Sequence, residues 1–260
     1  MKNLIIEDYL KSQHEFIKSW SISPENEFEK SIFSKLKSVN SQILPFLNYL
    51  PEPYLGNPYN SDGVFLNYNP GPVLEEEQNR QNGTFIKKLN AIDDYHFFAN
   101  NVTYFKGQNG FWKVRQNFLS RFLDKPFDET SLFALEICPF HSSSFKLSQK
   151  DISNSSFYIE NSVLKIAEEV AKLTTIKTII SIGKNYYDLF KILNYKLIRE
   201  INQSADIDNW PTKGNGEKTN RCISLWQSPS GGFYFNTWAP GSNKMPQKEF
   251  DKIIKEFISI

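Results

Sequence analysis

Apolar residues follow two different rhythms along this chain, and the rhythms alternate. Short uninterrupted runs stand at Val64-Phe65-Leu66, at Leu132-Phe133-Ala134-Leu135 with Ile137, and at Thr178-Ile179-Ile180-Ser181-Ile182. Runs without polar interruption predict strands buried on both faces. Between them the spacing becomes helical. Phe111, Val114, Phe118, Leu119 and Phe122 predict a helix over Phe111–Leu123, and Ile159, Val163, Ile166 and Val170 predict one over 157–173. Asn185–Leu193 and Gln247–Ile260 read as two more, the last with Phe250, Ile253, Ile254, Phe257 and Ile258 inward. Residues 5–48 are also helical in pattern. There Ser23-Pro24-Glu25-Asn26-Glu27 marks a helix start, followed by Phe28, Ile32, Phe33, Leu36 and Val39. Arg221–Gln227 and Gly232–Thr237 read as late strands.

Strands alternating with helices imply crossover connections and a largely parallel sheet covered by helices. The prolines at 45, 51 and 53 close the first helical region. Residues 1–50 therefore read as a helical extension packed on a main α/β domain, 51–260. Residues 72–110 and 206–220 are polar and irregular.

Composition adds limits. The 260 residues carry a formal charge of +1, so no strong global field draws the chain to nucleic acid, and such binding needs a local patch. Two cysteines, Cys138 and Cys222, give neither metal-ligand spacing nor a disulfide framework, and no metal or cofactor is expected. No window approaches the roughly 18 apolar residues of a membrane span, and the first ten residues include Glu7 and Asp8, unlike a signal peptide. A cytoplasmic protein without a membrane partner is the simplest expectation.

Parallel strands gather their carboxyl ends on one side, where open α/β sheets bind ligands. Here those ends are Asn67-Tyr68-Asn69-Pro70-Gly71, Cys138-Pro139-Phe140-His141, Gly183-Lys184 and Trp238-Ala239-Pro240-Gly241-Ser242-Asn243.

In that order the strand ends resemble the uracil-DNA glycosylase superfamily, nearest its mismatch-specific and single-strand-selective branches. The family's strand end Gly-x-Asn-Pro-Gly is matched by Asn67-Tyr68-Asn69-Pro70-Gly71, with Asn67 for the first glycine. Asn-x-Cys-Pro is matched by Glu136-Ile137-Cys138-Pro139, with Glu for Asn. An aromatic opening a helix is matched by Gly110-Phe111-Trp112. The closing His-Pro-Ser loop is answered by Trp238-Ala239-Pro240-Gly241-Ser242-Asn243, without the histidine. The resemblance spans roughly residues 55–260. It implies a three-layer α/β/α fold with a central, largely parallel four-stranded sheet, and hydrolysis of a damaged or mismatched base from DNA.

By that resemblance, Asn69 holds the attacking water, since an amide oxygen can orient water although it is no general base. Tyr68, Gly71, Phe111, Trp112, Glu136 and Trp238 contact the base, with an aromatic stacking on it once it is flipped out. Core packing accounts for Phe111 and Trp112 equally well. An ionised Glu136 only accepts hydrogen bonds, which favours an amino-bearing edge over uracil. His141 stands as a spatial substitute for the missing histidine. Ser242, Asn243 and Lys244 would grip a phosphate ahead of the last helix, with Met245 as an apolar wedge. Lys213, Lys218 and Arg221 would add phosphate contacts. The expected partner is DNA, single- or double-stranded, or a free nucleobase. Two readings stay open: a DNA repair hydrolase, and a catalytically inactive base-binding protein of the same fold.

Overall fold

The computed structural model describes residues 3–71, 83, 86–91, 94–97, 99, 110–123, 126, 132–205, 210–240 and 244–258. Ser242 and Asn243 lie outside these, as does most of 72–109.

The described chain opens with helices α1 (Leu4–Ile22), α2 (Pro24–Lys30) and α3 (Lys37–Ile43). Strands β1 (Tyr54–Leu55) and β2 (Gly63–Asn67) follow. Then come α4 (Gly110–Leu123), β3 (Leu132–Glu136) and α5 (Gln149–Tyr158). A wider π turn, Ile159–Leu164, joins α5 to α6 (Lys165–Ala171). The remainder is β4 (Ile179–Ile182), α7 (Lys184–Ile192), β5 (Lys196–Asn202), β6 (Cys222–Gln227), β7 (Phe233–Trp238) and α8 (Asp251–Ile258).

The strands form one sheet in the order β1-β3-β2-β4-β7-β6-β5. Its centre, β3-β2-β4-β7, is parallel, and the flanking strands β1, β6 and β5 pair antiparallel. The expected four-stranded sheet is thus the middle of a seven-stranded one. The central strands are buried along nearly their whole length, which is why they read as unbroken apolar runs. By contrast β5 is exposed at the sheet edge, with Lys196, Arg199 and Glu200 outward and an irregularity at Ile198. Charge and a bulge both discourage pairing with another chain.

Helices cover both faces. Successive strand residues point to opposite sides, and β7 shows which helices lie where. Tyr234 packs on Phe190 of α7 and donates to Glu168 of α6, whereas Phe235 meets Phe257 of α8. On β2, Phe65 meets Phe118 of α4. The apolar side chains of α1–α3, including Ile6, Leu10, Ile17, Phe28 and Val39, join the same core. Each fully buried Leu, Ile or Phe contributes roughly 1.5–3 kcal/mol against chain entropy.

Two local departures from the periodic reading have clear causes. Along α4 the buried residues are Trp112, Arg115, Gln116, Phe118 and Leu119, while Phe111 and Val114 are about half exposed. Two polar residues, Arg115 and Gln116, are thus buried where two apolar ones were expected. The helix expected from 157 starts instead at 149, where Ser148 and Asp151 form a capping box. A separate polar cluster lies at the head of α1, where Glu7 accepts from Tyr59 and Tyr95 and meets His96.

Candidate functional site

The order of the central strands fixes where a crevice opens. From β2 the chain crosses through α4 to β3 on one side. From β4 it leaves through α7, on the opposite face, toward β7 on the other side. Adjacent strands whose connections diverge in this way make a topological switch point. It lies at the carboxyl ends of β2 and β4, between the Tyr68–Gly71 turn and the start of α7.

The turn is rigidly held. Gly71 has φ +83°, a conformation that suits glycine. Its carbonyl accepts from the Ser142 amide at 3.3 Å and faces Nδ1 of His141 at 3.1 Å. Half-buried Asn69 donates from Nδ2 to the Ser142 carbonyl at 3.2 Å. Its Oδ1 has no partner among the described residues, so it can accept from a water or a ligand. Tyr68 donates to the Asn185 carbonyl at 2.9 Å, and its ring meets Tyr186 edge-on at 4.7 Å. The turn is thereby tied to the first residues of α7.

His141 is buried with both ring nitrogens engaged. Nε2 lies 3.1 Å from the Leu50 carbonyl and 3.5 Å from Glu52. Burial opposes its charge, but Glu52 and the Gly71 and Leu50 carbonyls prevail and raise its pKa above the ordinary 6.5. Three acceptors, two carbonyls and a carboxylate, around two ring nitrogens suit an imidazolium that braces three loops.

Beneath the turn, Asn67 and Glu136 are cross-strand partners, and Nδ2 of Asn67 donates to Oε1 of Glu136 at 3.2 Å. Both share the strand face of Phe65, which is the α4 side. Glu136 is 2 % exposed, and no cation stands within ion-pair distance among the described residues. Burial first, then the charge of Glu52, push its pKa well above 4.5, outweighing Arg115 and Asn67. Burial without a counterion thus works against the ionised, acceptor-only form of Glu136.

Arg115 of α4 fills the same region. It is 6 % exposed, its guanidinium lies 3.4 Å from the Phe111 ring centre, and it donates to the Phe111 carbonyl at 3.1 Å. Burial lowers its pKa to about 10, so it remains charged. Phe111 is about half exposed, whereas Trp112 is buried and meets Phe111 edge-on.

Trp238 ends β7, with β4 between it and the turn. It is half-buried, with Tyr187 at 6.4 Å and Nζ of Lys184 at 5.9 Å from its ring. The segment after it returns at Lys244, which is exposed, and Met245, which packs on the core. Arg221 holds this return by bonding the Lys244 carbonyl at 3.3 Å and Thr237 at 3.1 Å. That role replaces the surface phosphate contact expected of Arg221, which is buried. Lys213 pairs with Glu217, and Lys218 donates to the Ala205 carbonyl.

The structure thus brings Tyr68, Asn69, Gly71, Glu136 and His141 together, with Phe111 and Trp112 joined to them through Arg115. Trp238, Lys244 and Met245 stand apart. Arg115 and Tyr186 were missed from sequence. Arg115's position three residues after Trp112 and four before Leu119 was the available signal. A cavity of about 310 Å³ lined by Phe122, Leu123, Thr175, Ile176, Lys255 and Ile258 lies at the opposite end of the sheet. Among the described residues no group of His, Cys, Asp and Glu is arranged to hold a metal ion, and no helix is long and apolar enough to cross a membrane. Comparison with family models, curated proteins and solved structures finds no match to this chain.

Proposed function

We propose that the chain binds a nucleobase at the β2/β4 switch point and hydrolyses its N-glycosidic bond, as a DNA glycosylase of the uracil-DNA glycosylase type. The observation that carries this reading is Asn69. Its Nδ2 is anchored to Ser142, and its Oδ1 has no partner among the described residues at the end of the central strand. A water accepted there is aimed rather than deprotonated. It attacks C1′ of the sugar as the C1′–N bond breaks. The bonding pair leaves with the base, and the water's proton ends on the base. The half-exposed ring of Phe111, already carrying Arg115, is an aromatic surface near the same end of the sheet. With Glu136 neutral, an oxygen-bearing base such as uracil is admitted rather than excluded, because a carboxylic acid donates as well as accepts.

One observation favours a second reading, base binding without hydrolysis. His141, the only histidine near the turn, is engaged at both nitrogens and has no free position to assist a leaving group. A strand-nicking assay separates the two. Oligonucleotides carrying uracil, hypoxanthine, alkylated bases and mismatches are incubated with the chain and with Asn69→Ala. Abasic product that disappears in the variant is the expected result. Binding without abasic product selects the second reading, and neither binding nor product refutes both.

A further inference from the structure

The cavity at the far end of the sheet from the turn belongs to no part of the site described above. Its lining comes from three segments: Phe122 and Leu123 close α4, Thr175 and Ile176 precede β4, and Lys255 and Ile258 lie on α8. These segments are pinned in place. Arg121 joins α4 to α8 by an ion pair with Asp251 at 3.2 Å, and it donates to the Pro246 carbonyl at 3.2 Å. The Ile176 amide donates to the Asp62 carbonyl at 2.9 Å, Thr174 donates to the Ile176 carbonyl at 2.7 Å, and Thr178 donates to the Ile258 carbonyl at 3.4 Å. The space between them is therefore preformed. At about 310 Å³ it stands at the lower end of the roughly 300–1,000 Å³ of small-molecule sites.

The lining specifies the chemistry of a ligand. Phe122, Leu123, Ile176 and Ile258 offer an apolar body four apolar side chains. Two polar side chains remain. Thr175 has committed its proton, donating from Oγ1 to Asp62 at 2.8 Å. Lys255 is exposed and has neither a hydrogen-bond nor an ion-pair partner among the described residues. The carboxylates flanking it on α8 are taken, Asp251 by Arg121 and Glu256 by Arg199, each at 3.2 Å. The Lys255 ammonium is thus the free donor of the lining, and it favours an anionic head. Asp62, behind Thr175, disfavours a second negative charge on that head.

We propose that this cavity binds a small monocarboxylate with an apolar body, its chain against Phe122, Leu123, Ile176 and Ile258 and its carboxylate on Lys255. The site is separate from the β2/β4 crevice, and the proposal stands whether or not the chain acts on a base there. Removing the apolar body from water drives the binding. The ion pair at the exposed mouth selects the head group more than it adds affinity. A ligand seated here touches α4, the 174–178 segment and α8 at once, so it stabilises the fold by mass action.

Calorimetry and thermal unfolding of the intact chain test this, with octanoate as the probe and octanol, octylamine and acetate as controls. Octanoate should bind saturably, with a dissociation constant on the order of 1 mM or tighter for a ligand of this size. It should also raise the thermal midpoint as its concentration rises, and each control should bind more weakly. Leu123→Trp fills the space, so it should abolish octanoate binding while keeping the unliganded midpoint. Lys255→Met alters an exposed position and should weaken octanoate roughly five-fold while leaving octanol unchanged. No saturable binding of octanoate, or binding that Leu123→Trp leaves intact, overturns the proposal. So does equal affinity for octanol, or tighter binding of octylamine, which would give the head group to Asp62 instead of Lys255. If Leu123→Trp fails to fold, Lys255→Met decides alone, and octanoate affinity unchanged in it overturns the assignment.

Discussion

Replacing Glu7 by Gln removes the charge, but little of the shape, from a carboxylate at the head of α1. Oε1 of Glu7 accepts from Tyr59 at 2.6 Å, Oε2 accepts from Tyr95 at 2.6 Å, and Nε2 of His96 lies 3.2 Å from Oε2. Burial alone would raise its pKa. The two phenols and His96 prevail and lower it from 4.5 to about 2. A carboxyl whose pKa is depressed on folding stabilises the fold above its unfolded value. That contribution is lost as pH falls from about 4.5 toward 2. A drop of this size is worth at most about 3 kcal/mol. Gln keeps one acceptor oxygen and side-chain packing, so the expected loss for Glu7→Gln at pH 7 is about 2 kcal/mol. In a chain of this size that lowers the thermal midpoint by roughly 4–8 °C. Urea unfolding of both proteins from pH 7 down to pH 2 reads the effect directly. The gap between them should narrow steadily below pH 4.5 and close near pH 2. Equal stability at pH 7, or a gap that persists unchanged at pH 2, would refute the reasoning.

Two further outcomes follow from the buried titratable groups. Glu136 has its pKa raised by folding, so whatever stability its proton brings is full below pH 4.5 and declines as pH rises toward the folded value. Urea midpoints of Glu136→Gln should therefore gain on wild type as pH climbs from 4.5 to 8, and a constant difference would mean that Glu136 is ionised in the fold. His141 also has its pKa raised, so its contribution is full below pH 6.5 and is lost as pH rises through the folded value. Removing it in His141→Ala takes the buried imidazole from Glu52 and from the Gly71 and Leu50 carbonyls and should cost about 3–5 kcal/mol at pH 6, measured by urea unfolding. A cost under about 1 kcal/mol there would contradict the bracing role.

What the sequence disclosed follows burial on two sides. β2, β3, β4 and β7 are covered by helices on both faces, so their residues are mostly apolar, and the runs at 64–66, 132–135 and 178–182 were plain. β5 carries Lys196, Arg199 and Glu200 because it lies at an exposed edge, and nothing in that composition distinguishes a strand from a loop. The two residues of β1 are too few for any period. On α4 the stripe through Phe111 and Val114 was misplaced, since Arg115 and Gln116 are the buried positions there. Site residues at strand ends, Asn69 and Glu136, could be located because the strands that aim them were visible. Arg115 and Tyr186 could not, because helical spacing alone does not tell which polar or aromatic residues turn inward.

His141 gives the polar turn an unusual dependence on distant sequence. The same ring that faces the Gly71 carbonyl also faces Leu50 and Glu52, just past the end of the helical region. A boundary drawn between residues 50 and 51 therefore cuts through the brace itself. Lengthening or shortening the chain between α3 and β1 would be felt first not in the core but in the direction that Asn69 points. The N-terminal helices are accordingly part of the tolerance to which the crevice is built, and grafting the strand ends onto another sheet would lose that alignment.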